Sequence, residues 1–232
     1  NQGVAFPESK LSVTAITEQD KEHLEFGSKY DVDFVAVSFV RNAADVNLVK
    51  ELIPSDVKVI AKIELKTALD NIEEILDVSD GVMVARGDLG VQLPIEQVPF
   101  VQKKILDAAN KKGKFSITAT EMLQSMKTAY RPTRAEVTDI TNAILEGTDA
   151  VMLSAETSIG ENPNRVVEVM SIICRETDSR NDISSLLSKE DSDKDSMTTT
   201  LARAAVQVAN DIQAKSIIAF TETGKTPLLI SN

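Results

Sequence analysis

The chain has 232 residues, 42% of them hydrophobic but only 4% aromatic, with no Trp and a formal net charge of −11. That length holds one large α/β domain, or one domain and part of another, around an aliphatic core. The acidic balance argues against non-specific nucleic-acid binding and against anionic membranes, so any anion the chain handles must be held by a local site.

Residues 1–16 read as irregular or extended, with Gly3 and Pro7 as breakers. Thr17 is placed to cap a helix running to about Tyr30, with Glu18 and Asp20 in its first turn. His23 lies on its polar face and receives no role. Asp33 to Phe39 reads as a buried strand, and a helix from Ala43 to Ile53 is stopped by Pro54. The apolar run from Val57 is the next strand, and Lys66 to Leu76 the next helix, with Leu69, Ile72 and Leu76 on one stripe. Strand 81–85 leads into a glycine-flanked loop that carries Asp88. A long helix follows from Ile95 to Lys112, with Gly113 as its C-cap. Phe115 to Ala119 is a strand ending at Thr120, and the helix opened by Arg131-Pro132-Thr133-Arg134-Ala135-Glu136 ends at Gly147. Asp149 to Leu153 is a strand ending at Ser154, and Pro163 opens a helix to about Ser179. That helix holds the only cysteine, Cys174, which excludes an internal disulfide, fits a reducing compartment and reads as a small core side chain. No apolar run reaches the ~18 residues of a membrane span, and the first residues carry no signal-peptide pattern.

The strand–helix pattern thus repeats five times, and its strands are near-continuous apolar runs, as for parallel strands covered on both faces. A (β/α)₈ barrel and a doubly wound sheet both fit. Five units do not close an eight-unit barrel, so the expectation is a partial barrel over residues 1–179. Residues 180–196 are polar, acidic and serine-rich and read as a linker. A helix from Thr198 to Ile212 and a strand from Ser216 to Phe220 then read as the start of a second α/β domain over 197–232.

Polar residues gather at the strand C-termini: Ser38, Lys62 with Glu64, Asp88, Thr120 and Ser154. Side chains alternate along a strand, so Lys62 and Glu64 share one face, and such a pair is costly to bury without partners. Neighbouring parallel strands would let Glu64 and Asp88 offer oxygen ligands to a hard divalent ion, with Lys62 beside them. On residues alone Lys62 and Glu64 also read as a structural ion pair, Thr120 as a helix cap, and Arg134 with Glu136 as a surface pair. After the last strand, Thr221-Glu222-Thr223-Gly224-Lys225-Thr226 is not a P-loop, because Ala219 stands where that motif needs glycine. It reads either as an ordinary capped turn or as a simpler phosphate cradle.

Lys62-Ile63-Glu64, Asp80 to Gly90, Thr118-Ala119-Thr120 with Met122 to Met126, Arg131 to Glu136, and Val151 to Thr157 together resemble the pyruvate kinase family in order and spacing. The likeness covers residues 17 to 178, and the block Met83-Val84-Ala85-Arg86-Gly87-Asp88-Leu89-Gly90 is highly specific. It implies a (β/α)₈ barrel and a cytoplasmic, glycolytic phosphotransferase that makes pyruvate and ATP from phosphoenolpyruvate and ADP. By that resemblance Lys62 is the catalytic lysine, and Glu64 and Asp88 hold Mg²⁺ or Mn²⁺. Backbone N–H groups around Gly87 and Asp88 bind the substrate carboxylate, and Thr120 assists protonation of the enolate. Thr221, Thr223, Gly224 and Thr226 match the turn that binds effector phosphates, as of a sugar phosphate. The family also implies K⁺ and a homotetramer, with Arg131 to Glu136 near a subunit contact. By the same resemblance, the family's first barrel strands, lid domain and potassium ligands are expected to lie in a part not represented in this sequence, as is most of the nucleotide-binding site. Glu121 stands where many members have Gln, and Ala155 where many have Gly. Two other readings compete: a metal-dependent aldolase or lyase of a related barrel, and a non-catalytic fragment.

Overall fold

The computed structural model describes residues 16–180, 197–222 and 224–231. The expected irregular N-terminal stretch (apart from Ile16) and the expected linker (apart from Arg180) lie outside the described residues. The chain divides into two compact units, 1–174 and 175–232.

In the first unit, helix α1 (Glu18–Gly27) starts at a capping box: Asp20 N–H donates to Thr17 Oγ1, and Thr17 N–H donates back to Asp20 Oδ2 at 2.8 Å. Its continuation Ser28–Tyr30 is a 3-10 turn. Five strands follow: β1 (Phe34–Val37), β2 (Lys58–Ile63), β3 (Gly81–Ala85), β4 (Phe115–Ala119) and β5 (Ala150–Met152). All neighbours are parallel, and the order β1-β2-β3-β4-β5 never reverses. A doubly wound sheet needs a reversal of strand order at its switch point. The described sheet has none and is the arc of a barrel.

Register explains the two faces. Ala61 pairs with Val82 and Ile63 with Val84, and these four side chains enter the large apolar cluster beneath the helices. Lys62 pairs with Met83, which pairs with Ile117, and this row lies on the opposite, inner face. Ile60, Met83 and Ala119 pack there, with Ile117 and Met152 against them. A side-chain period of two therefore puts Lys62 and Glu64 on the inner face as the strand runs out.

The intervening helices are α2 (Ala43–Lys50), α3 (Lys66–Asp70), α4 (Ile72–Val78), α5 (Arg86–Gln92), α6 (Val98–Lys111), α7 (Arg134–Leu145), α8 (Ala155–Ser158) and α9 (Pro163–Arg180). Val46, Val49, Ile72, Ile75, Leu76, Ile105 and Leu106 cover the outer face of β2 and β3. A second cluster joins Met122, Leu123 and Met126 to Ile140 on α7 and to Val166 and Ile173 on α9, with Cys174 packed against it as expected.

Several expectations are corrected. The helix expected over 66–76 is broken, because Asn71 leaves helical geometry (φ −108°, ψ 17°) while its side-chain amide donates to the Arg41 carbonyl at 2.9 Å. The loop expected around Asp88 is helical: α5 starts directly at the end of β3, with Asp88 in its first turn. The helix expected from Ile95 opens as a 3-10 turn, Ile95–Gln97, and becomes α-helical only at Val98.

Two aspartates at the strand N-termini fasten neighbouring strands. Asp80 Oδ2 accepts from Val59 N–H at 2.9 Å, and Asp149 Oδ2 accepts from the N–H and the hydroxyl of Ser116 at 2.8 Å each. Gly81 is required by close approach, since a Cβ there would come within 2.5 Å of the Phe115 carbonyl oxygen.

In the second unit, α10 (Met197–Asp211) and α11 (Lys225–Ser231) are the described helices. The strand expected over Ser216 to Phe220 is not formed, because no described segment pairs with it and a strand without a ladder partner has no hydrogen bonds to define it.

Candidate active site

Three adjacent strands deliver the residues singled out in the sequence. Lys62 and Glu64 come at the end of β2, Gly87 and Asp88 in the helical turn after β3, and Thr120 directly after β4. All stand at the C-terminal edge of the sheet, where barrel enzymes place their chemistry.

Glu64 is 1% exposed. A buried carboxylate needs a charge partner and hydrogen bonds, and Glu64 has both. Lys62 Nζ lies 2.7 Å from its Oε1, and Phe39 N–H donates to its Oε2 at 2.6 Å. Phe39 reaches that position with φ 55°, a left-handed conformation uncommon outside glycine. Lys62 Nζ also donates to Ser38 Oγ at 2.7 Å, so the ammonium is held from two sides on the inner face. Asp88 is exposed, and among the described residues no ion pair or side-chain hydrogen bond engages it.

Thr120 is tied to the turn after β3. Gly87 N–H donates to Thr120 Oγ1 at 2.7 Å, and the Thr120 hydroxyl donates to the Ala119 carbonyl at 2.6 Å. Thr120 and Glu121 both have left-handed backbones, with φ 71° and 55°. The structure therefore joins Lys62 with Glu64, and Gly87 with Thr120. The Gly87 N–H, expected to face a substrate carboxylate, is bonded to the threonine hydroxyl.

Three further residues, Arg86, Asp139 and Glu156, hold this edge without standing out in the sequence. Arg86, 9% exposed, donates through Nη1 to both carboxylate oxygens of Asp139 at 2.7 Å and through Nη2 to the Thr120 carbonyl at 2.7 Å. Glu156, fully buried, accepts from Leu123 N–H at 3.2 Å and from Ser154 N–H at 2.8 Å, joining the segment after β4 to that after β5. The available signal was a charged residue abutting an apolar strand, as Arg86 abuts Ala85.

Glu136, next to this edge, accepts from the N–H and hydroxyl of Ser125 and of Thr133. Burial opposes its ionisation, but those hydrogen bonds outweigh burial and hold its pKa below the ordinary glutamate value.

Of the effector-turn residues, Thr221 Oγ1 accepts from Gly224 N–H at 3.0 Å, Gly224 has φ 77°, and Thr226 lies in the first turn of α11. Thr223 is outside the described residues.

A parallel arc with a lysine, a buried carboxylate and a threonine at the C-terminal ends of successive strands defines a (β/α)-barrel enzyme domain. Residues 1–167 match the family model described as pyruvate kinase, barrel domain. Pyruvate kinase 2 of Synechocystis sp. is 47% identical over all of this chain and 39% of its own length. The pyruvate kinase of Clostridium perfringens is 43% identical over all of this chain and 50% of its own length. The crystal structure of a pyruvate kinase from Cryptosporidium parvum superposes with a TM-score of 0.88 at 41% identity, covering 97% of this chain and 48% of that one. The chain belongs to the pyruvate kinase family. It spans half or less of the length of these relatives.

Proposed function

We propose that this chain contributes to an enzyme that transfers the phosphoryl group of phosphoenolpyruvate to ADP, giving pyruvate and ATP in cytoplasmic glycolysis. The observation that carries the reading is the inner-face pair Lys62–Glu64 at 2.7 Å, with the ammonium steadied by Ser38. In this reaction the enol oxygen–phosphorus bond breaks, a bond forms from phosphorus to a terminal oxygen of ADP, and the resulting enolate takes one proton at its methylene carbon. Negative charge moves from the phosphoryl group to the enolate oxygen, and a pre-positioned cation stabilises both at no reorganisation cost. Lys62 is that cation. Thr120 is a hydroxyl suited to pass a proton, drawn from water, toward the methylene carbon. A substrate carboxylate arriving at Gly87 N–H would take the place of Thr120 Oγ1 and release the hydroxyl for that task.

The donor set fits a hard divalent ion. Each Glu64 oxygen receives one donor and keeps further acceptor capacity, and Asp88 is exposed nearby in sequence to the same sheet edge. Two carboxylates, rather than a full protein cage, suit Mg²⁺ or Mn²⁺, which retains water and substrate oxygens. Among the described residues no group of three or more His, Cys, Asp or Glu could hold a metal by itself. Bound there, the ion would neutralise charge on the phosphoryl and enolate oxygens. The family likeness extends the proposal to K⁺ dependence, a homotetramer, and a sugar-phosphate effector at the turn of Thr221, Gly224 and Thr226. No helix of the described residues is long and apolar enough to cross a membrane.

The test is Mn²⁺ binding with and without oxalate, a mimic of the pyruvate enolate, together with turnover of phosphoenolpyruvate and ADP by the full-length enzyme containing this chain. Oxalate-enhanced binding that Glu64→Ala and Asp88→Ala abolish supports the reading. Retro-aldol cleavage without nucleotide, or no oxalate-dependent binding in folded protein, overturns it.

A further inference from the structure

Arg86 has more partners than its place at a strand end requires. Its Nη2 donates to the carbonyls of Thr120 at 2.7 Å and Glu121 at 3.4 Å and lies 3.3 Å from Met122 Sδ, and its Nε donates to the Thr120 carbonyl at 3.3 Å. Its Nη1 is held by both oxygens of Asp139, from a different helix. The carbonyls it holds belong to two consecutive left-handed residues. A β-branched residue such as Thr120 is strongly disfavoured there, and such a conformation persists only where the surroundings impose it. Gly87, the next residue after Arg86, returns the contact through its N–H to Thr120 Oγ1. The turn after β3 and the end of β4 are thus locked twice, by a side chain on a backbone and by a backbone on a side chain. Both locks act on Thr120, and the hold of Arg86 on its carbonyl is the one that remains when a substrate carboxylate takes the Gly87 N–H.

We propose that Arg86, aligned by Asp139, is a positioning residue that imposes the left-handed turn at Thr120 and thereby aims its hydroxyl for proton delivery to the enolate. The inference deepens the phosphoryl-transfer reading and rests on it for its catalytic part. Asp139 is 39% exposed at its side chain, so an isosteric change there tests the clamp with little disturbance of the core.

The experiment compares wild type, Asp139→Asn, Asp139→Glu, Arg86→Lys, Thr120→Ala and the double variant Asp139→Asn with Thr120→Ala in the full-length enzyme. It measures three quantities: the exchange of pyruvate methyl protons in D₂O with ATP present, phosphoryl transfer with its KM for phosphoenolpyruvate, and hydrogen exchange of the Gly87 amide. Asp139→Asn should slow methyl exchange by roughly tenfold or more, within the range of a lost acid–base contribution. KM should change far less, Asp139→Glu should recover part of the rate, and the double variant should be no slower than Thr120→Ala alone. Gly87 should lose protection in Asp139→Asn. Should Arg86→Lys fail to fold, the Asp139 variants carry the comparison. Equal falls in both reactions, unchanged methyl exchange, or a double variant slower than Thr120→Ala by the full Asp139→Asn factor would overturn the proposal. If wild type neither transfers nor exchanges, the phosphoryl-transfer reading fails instead. Gly87 protection then decides the clamp: unchanged in Asp139→Asn, it refutes the positioning of Thr120, and lost, it upholds it.

Discussion

Lys62 and Glu64 serve both stability and the proposed chemistry, and the two demands can be separated. Glu64 is fully buried, and among the described residues Lys62 Nζ and Phe39 N–H are the groups bonded to its oxygens. Removing the ammonium in Lys62→Met leaves a buried carboxylate undercompensated, which costs about 2 kcal/mol or more. The double variant Lys62→Met, Glu64→Gln should regain part of that loss in denaturant titration, because a neutral amide needs no counter-charge. Activity should behave differently. Lys62→Met is expected to lower kcat by roughly 10²–10³-fold, the scale for losing one pre-positioned electrostatic group, and the second substitution should not restore it. Recovery of both stability and kcat in the double variant would show that Lys62 acts only as a counter-ion.

Elements are joined at their ends by carboxylates, and these contacts carry the pH dependence. The capping box of α7 uses Thr133 and Glu136, and Glu136 reaches beyond its helix to Ser125. Thr133→Ala should cost about 1 kcal/mol, read from urea midpoints. Glu136 has a depressed pKa in the folded chain, so its contribution is complete above the unfolded carboxyl value of about 4.3 and is lost as pH falls through the lower folded value. Asp80 behaves alike: burial opposes its charge, yet the Val59 N–H and the Lys50 ammonium outweigh burial and lower its pKa. Stability should therefore fall on the acid side, and Glu136→Gln or Asp80→Asn should flatten that limb while lowering the neutral plateau. An acid limb as steep in these variants as in wild type would refute the assignment.

Across the first unit, protection should follow the sheet. β2, β3 and β4 each have two strand neighbours, whereas β1 and β5 have one among the described residues. Amide exchange measured by mass spectrometry should be slowest in Val59–Ile63 and Val82–Ala85 and faster in Phe34–Val37 and Ala150–Met152. Leu76, fully buried on α4 in the large cluster, should cost about 2–5 kcal/mol when truncated to Ala. A Leu76→Ala loss below 1 kcal/mol would mean that this cluster closes over the gap.

The sequence by itself determined the five strands of the first unit, most helices and the family. Apolar runs such as Gly81 to Ala85 have one solution once flanked by periodic helices, and period two alone put Lys62 and Glu64 on one face. Capping at Thr17 was equally legible, with Asp20 three residues on, whereas Glu136, read as a surface partner of Arg134, instead closes a capping box with Thr133. Tertiary structure decided whatever depended on a distant partner. Asn71 breaks a helix that its own segment would continue, because Arg41 offers a carbonyl thirty residues back in the chain. Ser216 to Phe220 has strand composition but, among the described residues, no partner. The choice between barrel and doubly wound sheet lay in strand order, which no single segment encodes. The hold of Arg86 on Thr120 spans 34 residues and depends on Asp139 from a third element. Local physics sets periodicity and capping, while long-range hydrogen bonds and charge pairing exist only after the chain has closed on itself.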